Sequence, residues 1–358
     1  MNFNNLLWFD LNFIPCLVVG LLLNAIILYL WQHQYYKHFG LNRYQAIQRI
    51  HLHETPRLGG MVILISLGIY LMRLPLGETR ELLTLLLLSL TPSLFFSFKE
   101  DLFHNVRPLL RLLSLLASGL LFVKYYSGPW PQVTVPIIGP LLSTKLGILL
   151  FYPLAMATIT NGMNLIDGVN GLCAMVSLSI LGTLIFLAHQ TLDHSILMTA
   201  SGISLLLMVF LLFNYPYGRI FLGDLGAYSL GMMLSMLVIV TYGRHPELPS
   251  WGAVLILIYP VTEVVFSLIR RLVRGHSVSR PDLLHLHLKL YLFFKPQPHF
   301  KFMANAIVMP TLAILWLTPL ILMTWFYQKP IFILLGIFIF LTLYGLLYKK
   351  IPSPKNKR

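Results

Sequence analysis

Long apolar segments recur along the whole chain and are separated by short polar connections. A helix needs about 20 apolar residues to cross the hydrocarbon core of a membrane. The segments are continuous and leucine-rich, without the alternation of a transmembrane β-strand. The pattern predicts an all-α polytopic membrane protein with a single integral membrane domain over residues 1–358. We expect eleven spans, near 12–32, 59–75, 81–98, 108–126, 145–160, 171–189, 195–214, 222–242, 251–271, 303–326 and 330–348.

Composition supports this reading. The chain of 358 residues is 57% hydrophobic and 11% charged, and its mean hydropathy is +0.77. Soluble domains average about 25% charged residues, so the chain falls outside that class. Its two cysteines, Cys16 and Cys173, lie in or beside apolar segments. The sequence therefore indicates neither a disulfide framework nor a thiolate metal site.

The net charge of +14 is explained by membrane topology, since lysine and arginine collect in cytoplasmic loops. Of the 26 basic residues, 20 fall in the odd-numbered connections and the C-terminal tail. This asymmetry predicts an N-terminus outside and a C-terminus in the cytoplasm, and no nucleic-acid partner is expected. The acids Glu54, Glu100, Asp101, Asp167, Asp224 and Asp282 also belong to odd connections. We therefore expect several distant loops to converge on one cytoplasmic site, with Glu263 the one acid inside a span.

The densest polar stretch is Asn161–Leu172, which lies between two apolar segments and holds three asparagines, one aspartate and three glycines. Such groups are costly beside a bilayer unless they find partners. Asn161, Asn164 and Asp167 are spaced three apart and would share one face of a helix. Single asparagines serve helix packing in membranes, but a run this dense favours a bound polar ligand.

Two further motifs precede this stretch. Arg57 follows Pro56 and stands before Gly59 and Gly60, which allow a close backbone approach. It either contacts a phosphate or only sets topology. The adjacent Glu100 and Asp101 repel each other unless a cation is near, which suggests a metal or base role. The alternative is a solvated helix end.

Two motifs follow it. Asp224 stands between glycines, as either a helix N-cap or a metal ligand, with Phe221 available to stack on a base or simply to pack. His285 and His287 alternate, so they point to opposite faces of a strand or diverge on a helix. This is not zinc spacing. With Arg280 nearby, they suit hydrogen bonding to a pyrophosphate.

Together these motifs resemble the polyprenyl-phosphate N-acetylhexosamine-1-phosphate transferases, a family of bacterial membrane enzymes. The resemblance covers about residues 50–290. It implies transfer of a sugar-1-phosphate from a UDP-amino sugar to undecaprenyl phosphate, with release of UMP and with Mg²⁺ or Mn²⁺ as cofactor. It also implies a site on the cytoplasmic face of the bacterial inner membrane, and it suggests a homodimer.

Carried over by position, the resemblance makes Asp224 the metal ligand and Phe221 the aromatic next to uracil. It assigns Glu100 and Asp101 to metal and lipid-phosphate chemistry. The remaining matches are Asn164 and Asp167 in an N-x-x-D-G core, and His285 and His287 in a histidine signature.

The chain departs from the family pattern at Glu100, Asn170 and Leu288, where the family has aspartate, aspartate and histidine. Asn170 is expected near the uracil, where an amide can still accept and donate. Because Asp101, Asp167 and Asp224 are all retained, a working enzyme is favoured, acting in O-antigen, capsule or related glycan synthesis. Peptidoglycan synthesis is less expected, because the histidine signature is nearer the simple-sugar branch. The rivals are a transporter and a catalytically inactive scaffold of polysaccharide assembly.

Overall fold

The computed structural model describes residues 13–33, 55–275, 284–297 and 303–352. Within these ranges the regular structure is entirely helical. The helices are α1 (Phe13–Gln32), α2 (Gly59–Arg73), α3 (Glu78–Ser89), α4 (Thr91–Phe103), α5 (Pro108–Tyr125), α6 (Ile138–Leu142), α7 (Lys145–Ile166), α8 (Leu172–Gln190), α9 (His194–Asn214), α10 (Gly223–Arg244), α11 (Trp251–Ile256), α12 (Ile258–Val273), α13 (Leu286–Phe294), α14 (Val308–Thr311), α15 (Ala313–Phe326) and α16 (Pro330–Lys350).

Seven of the described helices are long and apolar enough to cross a membrane, or eight if one bent pair counts as a span. The predicted class, an all-α polytopic membrane protein, is thereby confirmed. The predicted count of eleven spans and the predicted orientation are not confirmed. Helices α2 and α15, which match two of the predicted spans, are apolar but shorter than the others.

Three of the predicted helices differ from the helices in the structure, because two are divided and one is longer. The segment near 81–98 is two helices, α3 and α4, which meet at a bend of 53°. Pro92 in the first turn of α4 favours a new helix start there, because it cannot donate a backbone hydrogen bond. The segment near 251–271 is likewise divided into α11 and α12. In contrast, α7 continues to Ile166, beyond the predicted end near 160.

Helix α10 forms the centre of the bundle, since every residue from Gly223 to Gly243 is buried. A helix that is apolar on all sides suits such a position. Its small residues admit close neighbours, as is usual between membrane helices. A Cβ on Gly60 of α2 would lie 2.2 Å from the backbone nitrogen of Gly226. Helices α1 and α16 are mostly exposed and lie at the periphery.

The termini of five helices meet at one end of the bundle. The backbone N–H groups of Gly59 and Gly60 donate to the carbonyls of Phe221 and Leu222 at 2.9 Å, which joins the start of α2 to the segment before α10. The end of α4 and the start of α5 reach the same point through side chains of Asp101 and Arg111. The end of α7 joins them through the charge of Asp167, which interacts with Arg57, Asp224 and Asp101. The structure therefore brings together the described segments that carry these acids, while Glu54 and Asp282 lie outside the described residues and the predicted cytoplasmic face stays a prediction.

We predict that Gly60→Ala destabilises the protein by about 1–3 kcal/mol, because an added methyl overlaps the backbone of α10. The matched control is Gly68→Ala in the same helix, where an added Cβ meets nothing within 4 Å. That change should be neutral or slightly stabilising, since alanine favours a helix over glycine. Thermal unfolding in detergent measures both variants. Equal unfolding temperatures would contradict the close approach.

Candidate active site

The start of α10 is held by a carboxylate from another helix. The backbone N–H groups of Asp224 and Leu225 donate to Asp101 Oδ1 and Oδ2 at 2.9 and 2.8 Å. Asp101 thus satisfies two of the N–H groups that a helix leaves unpaired at its N-terminus. Gly223 has φ +77°, and a Cβ there would lie 2.7 Å from Asp101 Oδ2. The N-cap alternative for Asp224 is therefore wrong, because Asp101 caps the helix.

Two arginines flank the Asp224 carboxylate. Arg111 Nη1 donates to Asp224 Oδ2 at 3.1 Å, and Arg57 Nη2 lies 3.9 Å from Asp224 Oδ1. Arg57 Nη1 is also 3.9 Å from Asp101 Oδ1. The Arg57 side chain is 42% exposed, whereas that of Asp224 is 9% exposed. Arg57 therefore remains open to an anionic ligand on the outer side of the buried carboxylates.

Glu100 lies at the edge of the same cluster. Its Oε2 accepts a hydrogen bond from the backbone N–H of Val106 at 2.8 Å, and its Oε1 lies 3.7 Å from Arg111 Nη1. His104 ends α4 with a left-handed backbone and lies close enough to interact electrostatically with Arg57 and Glu100. Burial, together with the positive charge of Arg57, lowers the pKa of the His104 imidazole. The acidic pair is therefore built into the site, and the solvated-end alternative is wrong.

The polar stretch after α7 contributes Asp167. Asn164 Nδ2 lies 3.4 Å from the Tyr228 hydroxyl of α10, and Asp167 follows the last residue of α7. Burial raises the pKa of the Asp167 carboxyl well above its ordinary value. The charges of Asp224 and Asp101 raise it further, whereas Arg57 opposes them. Burial beside two other carboxylates therefore favours the protonated form of Asp167.

Asn170 joins two loops. Its Nδ2 donates to the Pro216 carbonyl at 2.8 Å, and its backbone N–H donates to Asn305 Oδ1 at 2.6 Å. A Cβ on Gly218 would lie 2.7 Å from Asn170 Oδ1. The amide donor expected to face a uracil is therefore used within the protein. An aspartate at this position would lack that donor.

The two histidines do not diverge. His285 precedes α13 with an extended backbone, and His287 is the second residue of that helix. Their rings are nearly parallel, 5.8 Å apart, and the Nδ1 atoms lie 3.2 and 3.9 Å from the two oxygens of Glu263. The expected divergence is wrong because the helix begins between them. Both side chains are buried. Arg280 lies outside the described residues.

The profile of glycosyl transferase family 4 matches residues 83–242, a range that contains Glu100, Asp101, Asp167 and Asp224. Over this range, which is less than half of its 358 residues, the chain is similar to glycosyl transferase family 4.

Individual proteins also resemble this chain over parts of their length. A Bacillus subtilis protein named "Probable undecaprenyl-phosphate N-acetylglucosaminyl 1-phosphate transferase" is 33% identical over 40% of this chain and 41% of its own. A Clostridium botulinum phospho-N-acetylmuramoyl-pentapeptide-transferase is 27% identical over 56% and 65%. A Mycolicibacterium smegmatis decaprenyl-phosphate N-acetylglucosaminephosphotransferase is 24% identical over 70% and 69%. The chain thus spans less than two thirds of the first two.

Among the predicted site residues, the structure brings together Arg57, Glu100, Asp101, Asp167 and Asp224. It adds Arg111, His104 and Tyr228, which the sequence reasoning missed. In the sequence, Arg111 is one of the basic residues that indicate topology. Its position in the first turn of α5 is the feature that could have marked it as a site residue. Phe221 is half-buried beside the cluster, and its backbone N–H donates to the Pro56 carbonyl at 2.9 Å.

We predict that Asp101→Ala lowers the free energy of unfolding by about 1–3 kcal/mol, because two buried N–H groups lose their acceptors. Asp101→Asn should lose less, since the amide oxygen still accepts one of them. The matched control is Glu100→Gln, which keeps an acceptor at the neighbouring, less buried position. Thermal unfolding in detergent measures all three. A wild-type unfolding temperature for Asp101→Ala would exclude the capping role.

Proposed function

We propose that this protein transfers a sugar-1-phosphate, N-acetylhexosamine-1-phosphate, from a UDP-sugar to polyprenyl phosphate and releases UMP. The observation that carries the proposal is the Asp224 carboxylate at the start of a fully buried helix, flanked by Arg57 and Arg111. Arginine binds phosphate groups through paired donors. Helix termini beside a lipid-facing surface suit a reaction between a water-soluble and a membrane-anchored phosphate. The names of the relatives agree with this chemistry.

The donor set fits a divalent cation that is shared with the substrate. Four carboxylates, those of Glu100, Asp101, Asp167 and Asp224, outnumber the two guanidiniums beside them. In the described ranges no group of three or more histidine, cysteine or acidic side chains is placed to hold a metal ion by itself. Magnesium commonly takes one or two protein carboxylates together with substrate phosphates.

We assign the metal to Asp224, with Mg²⁺ or Mn²⁺ as the ion. When bound, the ion would neutralise the pyrophosphate and the departing UMP. Arg111 and Arg57 would then be released from Asp224 to bind phosphate oxygens. This exchange keeps the buried carboxylate paired both with and without substrate.

The reaction forms a bond between a lipid-phosphate oxygen and the β-phosphorus of the nucleotide sugar. It breaks the bond from that phosphorus to the bridging oxygen, which leaves with UMP. Positioning and charge stabilisation carry most of such a reaction. Asp101 is held by two backbone N–H groups and supports the site. Proton transfer from the lipid phosphate falls to Glu100 or Asp167, and burial raises the pKa of the Asp167 carboxyl.

We assign the remaining contacts by the same chemistry. Phe221 and Asn164 would border the nucleotide, and Arg280 would bind phosphate, while Asn170 supports the loop beside it. The lipid tail would enter from the bilayer, with the site on the cytoplasmic face of the bacterial inner membrane. The product would begin assembly of O-antigen, capsule or a related envelope glycan.

The reaction is tested on purified protein in detergent with radiolabelled UDP-N-acetylglucosamine, undecaprenyl phosphate and Mg²⁺. We expect release of UMP and transfer of label to the lipid. A panel of other UDP-amino sugars then identifies the preferred donor. Uptake of label into vesicles without UMP would indicate a transporter. No turnover with any donor would indicate a scaffold, and either result would overturn the proposal.

We predict that Asp224→Ala abolishes transfer, with kcat reduced at least about 1000-fold, while the protein stays folded. The matched control is Asp193→Asn, which changes a half-buried acid at the opposite end of α10, where Asp193 contacts Arg244. Asparagine still caps a helix, so this variant should keep wild-type turnover. Unfolding temperature and UMP release are measured together. Wild-type turnover by Asp224→Ala would disprove the metal assignment.

A further inference from the structure

Glu263 is a buried acid outside the carboxylate cluster. It lies in α12, is 1% exposed, and is separated in sequence from every acid of the cluster. A buried carboxylate is strongly unfavourable unless it is paired. Nothing in the proposed chemistry uses it directly, so its partners indicate what it does.

The partners of Glu263 are the two histidines. His285 Nδ1 lies 3.2 Å from Glu263 Oε2, and His287 Nδ1 lies 3.9 Å from Oε1. Both rings therefore turn the same nitrogen toward the carboxylate. A neutral imidazole whose Nδ1–H donates to a carboxylate leaves Nε2 as an acceptor. The hydroxyls of Tyr259 and Tyr344 also interact electrostatically with Glu263.

The free side of His287 faces the turn that carries Asp167. A Cβ on Gly168 would lie 2.8 Å from His287 Nε2, so the imidazole rests against the backbone of this turn. His287 Nε2 is buried and has no hydrogen-bond partner among the described residues. Helix α12 also packs closely on α7, since a Cβ on Gly162 would lie 2.3 Å from the Pro260 carbonyl oxygen.

We propose that Glu263 is a positioning residue, which orients His285 and His287 so that His287 supports the Asp167–Gly168 turn from behind. The carboxylate is within hydrogen-bond distance of His285 Nδ1, and its charge acts on the Nδ1 side of the His287 ring across 3.9 Å. The turn is then held from α12 through His287, with Asp167 aimed at the cluster around Asp224. A carboxylate that orients a histidine in this way is known from metal sites, where its loss costs 10- to 100-fold in activity.

Burial argues that the histidines act through the turn. Both side chains are almost fully enclosed, at 2% and 0% exposed. Their Nδ1 atoms are directed at Glu263, and the Nε2 of His287 is directed at Gly168. Direct contact between His287 Nε2 and a substrate phosphate would require the turn to move away. The position of the turn can be tested without the proposed function, whereas the expected effect of Glu263 on turnover rests on it.

The position of the turn is tested without substrate, by hydrogen exchange and mass spectrometry of the full-length protein in detergent. Glu263→Gln keeps the shape of the side chain and removes its charge. We expect roughly tenfold faster exchange in peptides covering residues 163–172. The matched control is Ser267→Ala, one turn further along α12, where Ser267 is buried and contacts Arg270. Unchanged exchange of the turn in Glu263→Gln would overturn the inference.

The kinetic consequence is tested in the UMP-release assay. Glu263→Gln should lower kcat by roughly 10- to 100-fold and leave KM for the nucleotide sugar within about twofold. Glu263→Asp should recover part of the loss, since it restores the charge. Wild-type kcat in Glu263→Gln, or equal losses in Gln and Asp variants, would contradict a positioning role. If wild-type protein releases no UMP, the proposed function fails, and hydrogen exchange still decides the role of Glu263.

Discussion

The Asp101 carboxylate at the N-terminus of α10 is the interaction on which the site depends. Helix α10 is buried along nearly its whole length, so water cannot satisfy the N–H groups at its start. Asp101 supplies both acceptors from α4, and Gly223 leaves room for its side chain. The same contact fixes the separation between α4 and α10. Arg57, Arg111 and Glu100 are therefore arranged around a helix start that cannot move independently.

Pairing of opposite charges stabilises the ionisable groups that lie beside the apolar helices. Each carboxylate has a guanidinium, a backbone N–H or a histidine nearby, and the cluster lies at the helix ends. Ionised groups there are less costly than at the bilayer centre. The cluster holds four carboxylates and two guanidiniums, and burial favours the protonated form of Asp167. The buried Glu263 follows the same rule with two histidines as partners.

The segment that is similar to the family and the segment that forms the cluster largely coincide. The family match covers the segment from α3 to α10, and the cluster is assembled mainly from that segment. Arg57 and the histidines come from outside it, and they reach the site by backbone pairing at Gly59 and by packing against Gly168. The site therefore extends beyond the matched segment. In the proposed function, the nucleotide sugar and the lipid phosphate would meet at these helix ends.

The sequence alone determined the helical membrane architecture, the polar stretch at the end of α7 and five acidic or basic members of the cluster. These follow from local patterns, since apolar length, glycine content and charge asymmetry are properties of short windows. Tertiary structure decided the rest. Asp101 reaches the backbone of Asp224 across 123 positions, and Arg111 reaches its side chain across 113. The pairing of His285 with Glu263 and of Asn170 with Pro216 likewise joins separate segments. Such pairs form only where helix ends meet in space. Packing of the helices against α10 determines which ends meet, and this packing cannot be predicted from a local sequence pattern.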